Sequence, residues 1–145
     1  MNIAIVAAEF NQEVTSKMLA VALDKAKSLK LNIKFTCKVP GIFDMPVVID
    51  AWLQKEEVDA VVTLGDVIRG ETKHDELIAN AVAKSLTELS VKYKKPVTLG
   101  IAGPCMTERQ AQARIKSVAE RAIEAAEKTA NQIRSIRWFS LPSSK

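Results

Sequence analysis

The sequence predicts a three-layer α/β fold in which a four-stranded parallel sheet lies between two layers of helices. Short apolar segments typical of buried strands alternate with longer segments whose apolar residues recur at helical spacing. This alternation occurs four times along 145 residues, a length that fits one domain. Four strand–helix units imply parallel strands, because each crossover helix carries the chain back to the same end of the sheet.

Four segments have the pattern of strands. The first is the continuous apolar run Asn2–Ala8, and the second alternates apolar and polar residues over 32–38. The third covers residues 58–64, and the fourth, residues 97–101, follows Pro96. We expect a Gly-Pro loop after the fourth strand.

The intervening segments have helical periodicity. The first helix follows the first strand, the second begins near Pro46, which suits a first helical turn, and the third runs to Tyr93. The fourth is long and carries apolar residues from Ala111 to Ile133. Because no period continues beyond it, we predict one domain over residues 1–133 and a C-terminal tail over 134–145.

Composition disfavours several classes of function. The formal net charge is +4, but the basic residues are scattered and do not interleave with aromatic ones, so no nucleic-acid partner is predicted. A modest positive field of this kind suits phosphorylated metabolites. Cys37 and Cys105 form no spaced pair and the chain has one histidine, so we expect no metal site.

No membrane partner is predicted either. No apolar stretch approaches the ~20 residues that a membrane helix needs. The first apolar run is also too short for a signal peptide, so we predict a cytoplasmic protein.

The binding residues are expected in the loops after the strands, since ligands of such sheets bind outside the carboxyl ends of the strands. That rule selects residues 9–11, 39–44, 65–72 and 100–106. In the third of these loops, Thr72 is predicted to cap the next helix, and Asp75 completes a near capping box. Beyond a simple helix start, Gly70 and the free N–H groups of the first helical turn would also form a binding site for an anion.

Other residues in these regions allow two interpretations. His74 in the first helical turn is either a structural residue or a base that the helix dipole keeps neutral. Arg114 either lies on a solvated helix face or clamps a phosphate. Phe10 and Phe43 either fill the core or offer a flat face to a planar ring, and Asp44 either caps a helix or binds a polyol.

Taken together, these segments resemble the lumazine synthase family. The resemblance covers about residues 2–133, in the expected order, and its most specific part is the stretch Gly-x-Val-Ile-Arg-Gly-x-Thr-x-His at 65–74. The other matching pieces lie at 8–11, 39–46, 96–101 and 110–114.

The resemblance implies a flavodoxin-like fold and a defined reaction. The enzyme would condense 5-amino-6-(D-ribitylamino)uracil with 3,4-dihydroxy-2-butanone 4-phosphate. The product would be 6,7-dimethyl-8-ribityllumazine, an intermediate of riboflavin biosynthesis, with release of phosphate and water. The family uses no metal or organic cofactor, so we expect none here.

The resemblance also implies roles for individual residues. His74 matches the proton-transferring histidine and Arg114 the phosphate arginine. Leu99 matches a position that a neighbouring subunit supplies to the pocket. The remaining matches are the stacking ring and its neighbour (Phe10, Asn11), the ribityl and heterocycle loop (Ile42, Phe43, Asp44), the pocket wall (Asp66, Val67, Ile68) and the phosphate loop (Gly70, Glu71, Thr72).

Three residues depart from the pattern of the family. Asp44 stands where Glu is common, so its reach is shorter, and Leu99 stands where Phe is common. Glu71 stands where a small residue is common, so its carboxylate should point away from a bound phosphate.

The expected partner is another copy of the chain, and the resemblance implies a homopentamer, which could assemble further. The two edges of a four-stranded sheet lie close to every binding loop. A chain of 145 residues also has little length left to enclose two substrates. Residues Ile101, Ala102, Cys105 and Met106 are expected to pack outward against a neighbour.

Two rival functions are a riboflavin synthase of the same fold and a flavin-binding regulatory module. The phosphate loop argues against the first, and the absence of such a loop after the first strand argues against the second.

Overall fold

The computed structural model describes residues 1–140, and of residues 139 and 140 only the backbone. Strands and helices alternate along this part of the chain. The strands are β1 (Asn2–Ala8), β2 (Asn32–Val39), β3 (Ala60–Ile68), β4 (Val97–Thr98) and β5 (Ile101–Met106). The helices are α1 (Gln12–Ser28), α2 (Met45–Leu53), α3 (His74–Tyr93) and α4 (Glu108–Ser140), with a short 3-10 turn at Ile42–Asp44.

The predicted parallel α/β sheet is confirmed. All pairings are parallel, and the strand order is β2-β1-β3-β4, with β5 also paired to β3. Strand β4 pairs with the start of β3, while β5 pairs with its end, from Gly65 opposite Ile101. The two short strands therefore occupy successive lengths of the same sheet edge.

Two apolar clusters place the helices on opposite faces of the sheet. One cluster joins the sheet to α1 and α4 through residues such as Met18 and Ile123. The other joins it to α2 and α3 through residues such as Ile49 and Leu86. Strand β1 contributes alternate residues to each cluster, as expected of a central strand that is buried on both faces.

The prediction for the fourth strand was wrong in its bounds. We predicted a single strand over 97–101 followed by a loop over 100–106. The structure instead has the short strand β4, a break at Leu99-Gly100, and a further strand, β5. At the break, a Cβ atom on Gly100 would lie 2.0 Å from the carbonyl oxygen of Thr63, so only glycine allows this approach. Thr63 fastens the break, because its hydroxyl donates to Thr98 O (2.8 Å) and accepts from Gly100 N (3.1 Å).

Three other boundaries differ from the prediction. Strand β3 continues to Ile68, so Asp66, Val67 and Ile68 lie on a strand and not in a loop. Helix α3 begins at His74 with Lys73 as its N-cap residue, one position after the predicted cap. Helix α4 continues through residues 134–140, where a tail without periodicity was expected; the rest of that tail, residues 141–145, lies outside the described residues.

Candidate functional site

A cavity of about 460 Å³ opens at the carboxyl ends of the central strands. This is the end of the sheet at which the sequence predicted ligand binding. Nine of the predicted site residues line it: Phe10, Ile42, Phe43, Asp66, Val67, Ile68, Gly70, Thr72 and His74. These residues come from four separate segments of the chain, so the fold brings together what the sequence spreads over 65 positions.

Backbone hydrogen bonds beyond the strand ends hold the first wall of the cavity. Glu9 N donates to Val39 O (2.7 Å) and Phe10 N to Pro40 O (3.0 Å), which extends the pairing of β1 and β2 into their loops. Phe10 and Phe43 are 60 % and 67 % exposed, respectively, so neither ring fills the core. Of the two interpretations open for these rings, the structure therefore favours faces available to a planar ligand.

The carboxylate of Asp44 is engaged within its own loop. Its Oδ2 atom accepts a hydrogen bond from Gly41 N (3.0 Å), and the residue does not line the cavity. Its side chain makes no cap hydrogen bond to helix α2. The bond instead fixes the turn that presents Ile42 and Phe43, two residues that do line the cavity.

The opposite wall is the start of α3. His74 N donates to Thr72 Oγ1 (3.3 Å), so the threonine hydroxyl contacts the first turn although Lys73 occupies the cap position. The near capping box is wrong: Asp75 Oδ2 accepts from Cys105 N (3.0 Å), which ties the helix start to β5. Glu71 lines a neighbouring depression of about 260 Å³ and not the main cavity.

The inner wall contains a buried carboxyl group. Asp66 is 3 % exposed, and its Oδ2 atom accepts a hydrogen bond from Asn11 Nδ2. Burial raises the pKa of Asp66 to about 6; the charge of Glu108 also raises this pKa, whereas the bond from Asn11 lowers it. Asn11 itself does not line the cavity, but it contacts the site through this bond.

Two predicted site residues lie apart from the cavity. Arg114 is exposed on α4, and Leu99 is 56 % exposed between β4 and β5. Leu99 lines a different depression, of about 410 Å³, beside Arg121. Neither residue lines the main cavity of its own chain.

The outward packing expected of the β5 segment is mostly wrong. Ile101, Ala102 and Met106 are at most 8 % exposed, because they pack into the core, whereas Cys105 is exposed. The apolar surface left to a partner at this edge is therefore Leu99 and not the strand after it.

Some lining residues were not among the predicted site residues. Ala8, Pro40, Gly41, Asp75 and Ile78 also line the cavity. Ile78 lies one turn after His74 on α3, and this i, i+4 spacing is the signal that could have identified it.

Among residues 1–140, no group of three or more His, Cys, Asp or Glu side chains is arranged to hold a metal ion. No helix within the same residues is both long and apolar enough to cross a bilayer.

Comparison with known proteins assigns the chain to a family. Residues 1–135 match the family model described as 6,7-dimethyl-8-ribityllumazine synthase. The chain belongs to this family. The membership confirms the resemblance inferred from the sequence, and with it the lumazine-forming condensation of riboflavin biosynthesis as the enzymatic function.

Curated relatives support the assignment over nearly the whole chain. The 6,7-dimethyl-8-ribityllumazine synthase of Sulfolobus acidocaldarius is 47 % identical over 141 residues, which cover 97 % of this chain and 89 % of the relative. A protein of the same name from Saccharolobus islandicus is 50 % identical over 136 residues, 94 % of this chain and 88 % of the relative. A third, from Metallosphaera sedula, is 46 % identical over 136 residues, 94 % of this chain and 90 % of the relative.

Proposed function

We propose that the cavity at the carboxyl ends of β1–β3 is where the protein condenses 5-amino-6-(D-ribitylamino)uracil with 3,4-dihydroxy-2-butanone 4-phosphate. The observation that carries the proposal is the convergence of nine predicted site residues on this one cavity. The exposed aromatic rings and the apolar wall of the cavity suit a flat heterocycle. The helix start at its edge suits an anionic group.

The pyrimidine is proposed to lie against Phe10. Its ring would stack on that side chain, with Val67 and Ile68 on the wall behind it. The ribityl chain would extend along Ile42 and Phe43. Since the carboxylate of Asp44 is bound to Gly41 N, we assign Asp44 to shaping this loop in addition to any contact with a hydroxyl group.

The phosphate is proposed to bind at residues 70–72 and the first turn of α3. The first N–H groups of a helix have no partner within the helix, and the helix dipole favours an anion there. Gly70 has nothing within 4 Å of the position of a Cβ atom, so the backbone at this residue is open to a ligand. Glu71 lines the outer depression, which is consistent with a side chain directed away from the phosphate.

His74 is proposed to transfer protons during the condensation. The amine of the pyrimidine attacks the ketone carbon, and loss of water gives a Schiff base. A proton then leaves the carbon next to the imine, the C–O bond to phosphate breaks, and phosphate departs with the electron pair of that bond. The resulting enol gains a proton at its terminal carbon and loses its hydroxyl proton, which gives a ketone with a new methyl group. The second nitrogen then closes the ring on this ketone carbon, with loss of water. His74 lies beside the proposed phosphate site and can accept and return these protons.

The active unit is proposed to be a homo-oligomer, a pentamer, in which a neighbour supplies Leu99 and Arg114. Both residues are exposed and neither lines the cavity of its own chain. A closed ring satisfies such a head-to-tail contact without leaving a free end. Larger assemblies of pentamers remain compatible with the same contacts. We further propose that the enzyme works in the cytoplasm and without a metal or organic cofactor.

An absorbance assay for lumazine formation tests this function. Both substrates together should give 6,7-dimethyl-8-ribityllumazine, also in the presence of a chelator. Activity that is lost in chelator and restored by a metal ion would refute the cofactor-free reaction. Conversion of the lumazine alone to riboflavin would favour the riboflavin synthase alternative, and bound flavin without turnover would favour the binding module.

A further inference from the structure

Strand β5 forms a bulge opposite the end of β3. The regular pairing of the two strands is interrupted at Val67, which stands opposite three residues of β5, 103–105. Pairing resumes directly afterwards, where Arg69 N donates to Met106 O (2.8 Å). Because the strands pair on both sides of the interruption, the extra residues form a β-bulge of fixed position. Such bulges are common beside active sites, and Val67 lines the cavity described above.

The backbone of this bulge has an unusual conformation. Gly103 has φ 107°, and a Cβ atom on it would lie 2.3 Å from Val67 O. Cys105 has φ 61°, in the left-handed region that residues other than glycine seldom adopt. Backbone conformations of this kind persist only where surrounding contacts hold them, and they concentrate at functional sites.

The contacts that hold Cys105 come from the first turn of helix α3. Asp75 Oδ2 accepts a hydrogen bond from Cys105 N (3.0 Å), and Glu76 Oε1 accepts one from Cys105 Sγ (2.8 Å). Asp75 is 8 % exposed, whereas the cysteine is exposed. The bond from the backbone N–H to Asp75 is therefore the more sheltered of the two, and it joins the bulge to the helix.

The first turn of α3 depends on this attachment, because its own cap is weak. Lys73, the N-cap residue, makes no side-chain cap hydrogen bond. The bond from His74 N to Thr72 Oγ1 is 3.3 Å long, which is longer than usual for an N–H donor. Since Asp75 directly follows His74 and residues 70–72, a shift of this turn would move the histidine and the proposed phosphate site together.

We propose, resting on the function proposed above, that Asp75 is a positioning residue, which fixes the first turn of α3 against the bulge of β5 and so sets the position of His74 and of the N–H groups at the phosphate site. A negative charge at the edge of the cavity is itself unfavourable to a bound phosphate. What the position requires is therefore a hydrogen-bond acceptor for Cys105 N, and not a charge.

Steady-state lumazine formation by two Asp75 variants tests the proposal. Asp75→Ala should lower kcat/KM for the phosphorylated ketone by roughly a hundredfold, because displacement of reacting groups by about 1 Å has an effect of that size. Its affinity for the pyrimidine, measured by calorimetry, should change much less. Asp75→Asn keeps an oxygen that accepts from Cys105 N, so it should retain most of the wild-type kcat, with a KM for the ketone that is equal or lower.

Glu76→Ala is the matched control. It removes the neighbouring carboxylate of the same helical turn and the bond to the Cys105 thiol, but it leaves the bond between Asp75 and Cys105 N. This variant should keep most of the activity. A loss as large as that of Asp75→Ala would overturn the proposal, because any negative charge on this turn would then be equivalent.

A double variant tests whether Asp75 acts through His74. If it does, the two substitutions will not be additive in kcat, and the protein with both His74→Ala and Asp75→Ala should turn over about as fast as His74→Ala alone. Losses that multiply would overturn the proposal, because a residue that only stabilises the fold, or that acts independently, gives that result.

The remaining outcomes separate this role from misfolding and from the proposed function. Loss of activity in Asp75→Asn would refute the need for an acceptor alone, and this variant decides the point even if Asp75→Ala does not fold. Equal losses for both substrates in Asp75→Ala would also refute a positioning role. Activity lost in Phe10→Ala but kept in Asp75→Ala would refute the role of Asp75 and leave the proposed site intact. Activity kept in both would refute the proposed site and this role together.

Discussion

The two regions that flank strand β3 differ in how completely they form a site. Towards α3, residues from four segments enclose one cavity, and hydrogen bonds within the chain fix its walls. Towards β4, β5 and α4, Leu99 and Arg114 are exposed and line no part of that cavity. The single chain therefore forms the cavity proposed for the pyrimidine, whereas Leu99 and Arg114 contribute to a site only through the second copy of the chain that we propose.

The strongest way to break this comparison is to prevent assembly. We expect Leu99→Asp to dissociate the oligomer and abolish activity, because a charge would replace an exposed apolar side chain at the proposed interface. Mass photometry and the lumazine assay on the same sample measure both effects. A dissociated protein with full activity would retain the interface but reject a shared site.

The choice of Leu99 for this test depends on the structure. The sequence suggested Ile101 as an interface residue, but Ile101 is 8 % exposed and packs with the core between the sheet and α2–α3. A charge at that position would unfold the chain and say nothing about assembly. Val91→Asp is a matched control, since Val91 is similarly exposed (63 %) but lies at the far end of α3.

Substitution of Arg114 probes the same region with a smaller expected effect. Arg114→Ala should raise the KM for the phosphorylated ketone about ten- to a hundredfold, with less effect on the pyrimidine, because a charged hydrogen bond to phosphate is lost. Equal losses for both substrates would point to a general electrostatic effect.

Mixed oligomers sharpen the prediction for Arg114. If sites are shared, co-refolding Arg114→Ala chains with Phe10→Ala chains should regenerate some sites that contain both wild-type residues. Activity above that of either variant alone is the expected result. Activity no greater than the average of the two variants would place Arg114 and Phe10 in the same subunit's site.

Much of the cavity region was predictable because its residues follow strands in recognisable order. The carboxyl-end rule selected the loops of Phe10, Phe43 and Thr72 from the sequence alone. The break at Gly100 was not predictable, since it depends on the approach of this residue to the backbone of Thr63, across the sheet. The state of Asp66 could not be predicted from the sequence either, because it depends on the hydrogen bond from Asn11 and on the charge of Glu108, which lie 55 and 42 positions away from it.

The cost of the buried carboxylate gives a prediction about stability. The pKa of Asp66 rises from 3.8 to about 6 on folding, so the folded chain binds more protons between these values. The contribution of Asp66 to stability therefore falls as the pH rises from about 4 through 6 and stays low above that range. Asp66→Asn should stabilise the protein by up to about 3 kcal/mol near pH 8 and have little effect near pH 4.

Denaturant unfolding at the two pH values measures this difference. Asp44→Asn is the matched control, because Asp44 is exposed and its carboxylate already accepts a bond from Gly41 N. It should show no such gain at high pH. If Asp66→Asn were destabilising at both pH values, the hydrogen bond from Asn11 would outweigh the burial of the charge.

The smallest expected effect belongs to His74, inside the region that the chain completes alone. General base catalysis typically raises a reaction rate by about 10²–10⁴-fold. Because the two substrates of this family already react with each other, slowly, in the absence of enzyme, His74→Ala should lower kcat by about a hundredfold or less. The ring is exposed at the start of α3, and its backbone N–H, not its imidazole, makes the bond to Thr72. The substitution should therefore leave the cavity and the KM for the pyrimidine nearly unchanged, and it should alter the pH profile of kcat. An unchanged kcat across the pH range would leave His74 as a structural residue. Catalysis would then depend on how the cavity and the proposed neighbouring subunit position the two substrates. The substitutions of Leu99 and Arg114 test that contribution.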